Sequence, residues 1–75
     1  MKISTLIHIR SLLENDVYKT KSVFDDAKAE YAAGLTYLDD DDPKLYTLKT
    51  DRKTAYDEWM RAKDALEDFD STDWR

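Results

Sequence analysis

The sequence predicts an all-α protein: an antiparallel hairpin of two long helices, preceded by a short N-terminal helix and self-associating into a helical bundle. Three observations carry this. Apolar residues recur at alternating spacings of three and four along most of the chain, the period of a helix that buries one stripe. Only one Gly (Gly34) and one Pro (Pro43) interrupt 75 residues. The chain is 41% hydrophobic and 39% charged, a mixture rich in Ala, Leu, Lys, Asp and Glu that favours helix and excludes collagen-like, linker-like and low-complexity classes.

The first helix is expected over about residues 4 to 14, where Ile3, Leu6, Ile7, Ile9, Leu12 and Leu13 crowd together. Asn15 and Asp16 compete for backbone hydrogen bonds and favour caps, which predicts a break or kink there. A long helix follows over about residues 16 to 38, with Val17, Thr20, Phe24, Ala27, Tyr31, Gly34 or Leu35, and Leu38 on one stripe. The segment Asp39 to Pro43 ends it. Four consecutive acids oppose continuation, and Pro43 fits only the first turn of a new helix. Asp41 or Asp42 is the expected N-cap, its carboxylate accepting from orphan backbone N–H groups. The last helix is expected over about residues 43 to 69, where Leu45, Leu48, Arg52, Ala55, Trp59, Ala62, Leu66 and Phe69 form a sustained heptad stripe widened by Tyr56 and Met60. Its far face offers Lys53 with Asp57, Asp57 with Arg61, and Lys63 with Glu67 as opposite charges four residues apart. Residues 70 to 75 are read as a frayed tail carrying Trp74.

A hairpin closed at Asp39 to Pro43 sets Leu38 near Leu45, Tyr31 near Arg52, Phe24 near Trp59 and Val17 near Leu66. Ala27, Gly34, Ala55 and Ala62 leave room beside the large rings, so the backbones can approach closely. Two helices bury a single seam, however, and apolar burial worth about 25 cal/mol per Å² then offsets conformational entropy with little surplus. Residues 1–75 are therefore read as one helical domain completed by self-association, as a dimeric bundle or larger ring. A compact three-helix monomer is the competing structure.

The absence of Cys excludes a disulfide framework, a thiolate zinc site and a cysteine nucleophile. No run approaches the roughly 18 apolar residues of a membrane span, and the start lacks the basic region and long apolar core of a signal peptide. A soluble, cytoplasmic protein is expected, in the host cytoplasm if the chain is viral. His8 is the single histidine, with Ser4 and Ser11 one turn to either side. A nucleophile and base on adjacent turns of one helix lack a sharp presenting turn and an oxyanion site. The four acids at Asp39 to Asp42 lack the spacing of an EF-hand and read as a capping turn. The chain is thus read as non-enzymatic, with no catalytic, cofactor or metal residue assigned.

What remains is binding. Lys44, Lys49, Arg52, Lys53, Arg61 and Lys63 interleave with Tyr46, Tyr56 and Trp59, a combination that holds phosphate and stacks bases. The net charge of -5 opposes the approach of a long polyanion, so direct nucleic-acid binding is not expected. A small anion such as a nucleotide is penalised less, and Arg10, Lys19 and Lys21 near Tyr18 at a subunit interface define one alternative: an oligomeric ligand-binding protein that sequesters it. A second alternative is an acidic DNA mimic, for which the acids are clustered rather than spread at phosphate-like spacing.

The favoured reading rests on five Tyr, two Trp and two Phe, residue types enriched in binding hot spots. Phe24, Tyr31, Trp59 and Phe69 belong to the seam. Tyr18, Tyr37, Tyr46 and Trp74 fall off it and, with Asp39, Asp40, Asp41 and Asp42, are the candidate partner-binding residues. The sequence reads as a small helical interaction protein that binds and modulates or inhibits a larger protein, in the manner of phage-type host-interacting or anti-defence proteins.

Overall fold

Two helices and one turn make the fold. The computed structural model describes residues 2–73: α1 spans Ile3–Tyr37 and α2 spans Pro43–Ser71, 35 and 29 residues long. Among the described residues there is no strand, and no helix is long and apolar enough to cross a membrane.

The turn follows from its residues. The N–H of Leu38 donates to the Gly34 carbonyl at 2.8 Å and closes α1 without any residue at positive φ. The N–H of Asp42 then donates to the Asp39 carbonyl at 3.0 Å. Asp42 is the N-cap of α2: its Oδ1 accepts from the Lys44 N–H at 2.9 Å, and Pro43 takes the first helical position, where its missing N–H costs nothing.

The expected break at Asn15 and Asp16 does not occur, and the short helix over residues 4 to 14 is the first part of α1. Both residues are weak helix formers, but neither removes a backbone donor, as Pro would, nor frees the backbone, as Gly would. Leu6, Ile9, Leu13, Val17, Thr20 and Phe24 run through the site in phase and are all half-buried. The stripe stays on one face, and that burial outweighs the local preference.

The seam joins the helices as the spacing predicts. Phe24 stacks on Trp59 with ring centroids 5.5 Å apart, and the Arg52 guanidinium lies over the Tyr31 ring at 4.6 Å. Leu38 and Leu45 meet around Gly34, while Val17 and Leu66 line one groove. At Gly34 the α2 side chains press close on the α1 backbone: a Cβ there would lie 2.7 Å from Leu48 Cδ1. Tyr56 packs edge-on to both Phe24 and Trp59, completing a ring cluster at mid-seam. The Trp59 indole N–H is buried in it without a hydrogen-bond partner among the described residues.

The core is thin. Leu45 and Ala55, at 8% and 5% exposure, are its buried hydrophobic residues, joined by Gly34. The molecule measures 56 × 15 × 12 Å with a radius of gyration of 17.0 Å, against about 11 Å for a compact chain of this length. Its accessible surface is 6034 Å², whereas a compact monomer of its mass exposes roughly 4,800 Å².

The register has a further result. With Phe24 opposite Trp59, the end of α2 at Ser71 comes level with about residue 12, so the first two turns of α1 run on with no helical partner. Ile3 and Ile7 there are 76% and 64% exposed. The segment extends α1 rather than folding back over the hairpin.

Candidate functional site

A concavity lies between the helices on one flank, in the half nearest the turn. It is a half-open groove of about 520 Å³. Its position follows from the heptads: the residue after each seam position on that flank is Lys28 in α1 and Lys49 or Tyr56 in α2, and antiparallel pairing brings these together. Lys28, Lys49, Arg52 and Lys53 supply four cations, and Phe24, Tyr46 and Tyr56 supply three rings. No carboxylate lines it.

The cations are uncompensated. Among the described residues the ion pairs are Arg10 with Glu14, Arg10 with Asp70, and Lys21 with Asp25, all outside the groove. The expected pairs Lys53–Asp57, Asp57–Arg61 and Lys63–Glu67 do not form. Exposed pairs of this kind gain only about 0.5 kcal/mol, too little to order two long side chains. Lys63 instead sits over the Trp59 ring at 4.7 Å, and Lys28 over Phe24 at 5.4 Å.

The other candidate residues lie elsewhere. Tyr37 and Tyr46 are exposed at the turn end with Asp39, Asp40 and Asp41, while Asp42 is half-buried by its capping role. Tyr18 is exposed far down α1, in a shallow depression with Lys21, Ser22 and Asp25. Trp74 lies outside the described residues. Of the proposed anion-binding set, Lys19 is exposed and Lys21 is held by Asp25 at 3.2 Å. Arg10 donates from Nε and Nη2 to the two Asp70 carboxylate oxygens at 2.8 and 3.1 Å, and from Nη1 to Glu14. Hydrogen bonding from Arg10 holds the Asp70 carboxyl below its ordinary value, and the reciprocal bond raises Arg10 above its own. Arg10, Lys19 and Lys21 do not share a cavity within one chain.

His8, Ser4 and Ser11 are all exposed. Among the described residues no group of three or more His, Asp or Glu side chains is arranged to hold a metal ion.

Sequence spacing singles out Lys49, Arg52, Lys53, Tyr46 and Tyr56 but misses Lys28. Its signal is the position four residues after Phe24, which acquires meaning only once α1 and α2 are in register.

Comparison with family models, with curated proteins and with solved structures finds no match to this chain.

Proposed function

We propose that the protein is a non-enzymatic helical interaction protein: it self-associates through the projecting start of α1 and uses its outward aromatic and acidic residues to bind and modulate a larger protein. One observation supports this above the others. A hairpin with three buried residues leaves Ile3, Ile7, Leu12, Val23 and Leu35 more than half exposed, together with Tyr18, Tyr37 and Tyr46. Isolated exposed apolar residues are ordinary, but so many around so thin a core signal surfaces that are covered when the protein works.

The occupant of the α1 projection is taken to be a second copy of the chain. Ile3 and Ile7, four residues apart, form an apolar flank beside Leu6 and Ile9 on turns that α2 is too short to reach, and a second hairpin laid alongside supplies an apolar partner. The larger protein is assigned to the turn end, where Tyr37 and Tyr46 flank four aspartates and offer aromatic anchors within an acidic rim.

Photo-crosslinking separates the two surfaces. A crosslinker at Ile7 is expected to yield adducts of the chain with itself. At Tyr37 it is expected to yield one discrete heavier adduct in producing cells, lost when Tyr46 and Asp40 are both changed to Lys. Self-adducts from neither position, together with an unselective smear from Tyr37, would contradict the proposal.

A further inference from the structure

We infer that the groove between α1 and α2 binds a nucleoside polyphosphate, its phosphates held by Lys28, Lys49, Arg52 and Lys53 and its base laid against Tyr46 and Tyr56. The site lies within one hairpin and does not need the self-association assigned above, although it shares Tyr46 with the turn-end surface.

The charge pattern is the first argument. The chain carries 17 acids against 12 Lys and Arg, yet four cations converge on a groove that no carboxylate lines. Lys49 and Lys53 stand four residues apart on α2, where like charges cost rather than gain a few tenths of a kcal/mol. Neither makes an ion pair or hydrogen bond among the described residues. Arg52 is more telling still. It occupies a heptad seam position and is half-buried, and its guanidinium lies over the Tyr31 ring with no hydrogen-bond acceptor among the described residues. An anion in the groove would give this cation the charged partner that it lacks among the described residues.

The rings narrow the ligand. Tyr56 is fixed by edge contacts to Phe24 and Trp59, which gives one rigid wall. Tyr46, one heptad and three residues before it, is 74% exposed and makes no side-chain hydrogen bond or ring contact among the described residues, which leaves its face open to a planar group. Inorganic phosphate would leave both rings unused, and an uncharged aromatic would leave the cations unmatched. A planar base joined to two or three phosphates uses both, by stacking and by charge-assisted hydrogen bonds.

Size and surroundings favour a free nucleotide over a strand. A volume of about 520 Å³ falls in the range of small-molecule sites. Asp39 to Asp42 lie in the turn, shortly before Tyr46 in sequence, and Glu67 and Asp70 line another depression, together with Lys63. A polyanion running lengthwise meets repulsion at both ends.

The test is an amide-shift titration of the ¹⁵N-labelled full chain with ATP, with adenosine and tripolyphosphate as the two halves of the probe. Saturable shifts confined to Lys28 and the stretch from Tyr46 to Tyr56 are expected. Lys49→Glu with Lys53→Glu should weaken ATP by at least about tenfold, and Tyr46→Ala should weaken ATP while sparing tripolyphosphate. The wild-type titration stands whether or not a variant folds. Unsaturable shifts spread over Lys2 and Lys19 would overturn the site. Tripolyphosphate binding as tightly as ATP would overturn the nucleotide assignment, and tighter binding of a single-stranded oligonucleotide would overturn the choice of a free ligand.

Discussion

Gly34 and Trp59 show how single residues set the helix spacing. An Ala at position 34 gains about 1 kcal/mol of helix propensity, and its Cβ displaces only the tip of the half-buried Leu48. Gly34→Ala should therefore shift stability by less than about 1 kcal/mol, whereas Gly34→Leu, which must part the helices, should cost about 1–3 kcal/mol. Thermal melts followed by circular dichroism compare the two. At Trp59, Ala removes the stack on Phe24 and the perch of Lys63, an expected loss of about 3 kcal/mol. Trp59→Phe keeps a ring on Phe24 and deletes an indole N–H that has no partner among the described residues, so its cost should stay at ~1 kcal/mol or less. Equal losses from Phe and Ala would show that the N–H does find an acceptor.

At the scale of elements, the seam was legible because its heptads are unbroken from Leu45 to Phe69 and from Val17 to Leu38, and the pairings they imply are those observed. The continuity of α1 was not. Asn15 and Asp16 carry a real local preference for ending a helix, and only the tertiary burial of Leu13, Val17 and Thr20 overrides it. The groove was half legible: the α2 cations and tyrosines are visible as spacing, but Lys28 joins them only through the antiparallel register.

Two devices fasten the ends of the elements. Asp42→Ala removes the cap of α2 and should cost about 1 kcal/mol, while Asp40→Asn should be neutral or slightly stabilising by relieving like-charge repulsion. Urea titrations of both variants check this. At the far end, Arg10 ties α1 to Asp70 of α2. Because the folded Asp70 carboxyl titrates below its ordinary 3.8, the pair's contribution is full above that value and disappears as pH falls through the lowered one. Wild type should thus lose thermal stability on acidification to about pH 2 by more than Asp70→Asn does. Parallel pH profiles would remove Asp70 from the account.

At the scale of the molecule, elongation and exposure point the same way. A hairpin 56 Å long with 6034 Å² of surface buries too little to account for the apolar residues it displays, and the first two turns of α1 carry that excess past the end of α2. The proposed self-association would cover them, and it is the premise on which the proposed interaction role stands. Native mass spectrometry of the purified full chain tests it most directly. The account predicts a closed oligomer at a whole-number multiple of the 8.8 kDa chain, collapsing towards monomer when Ile3 and Ile7 are both changed to Asp while circular dichroism stays helical. A wild-type chain that remains a single 8.8 kDa species and still unfolds cooperatively would contradict it.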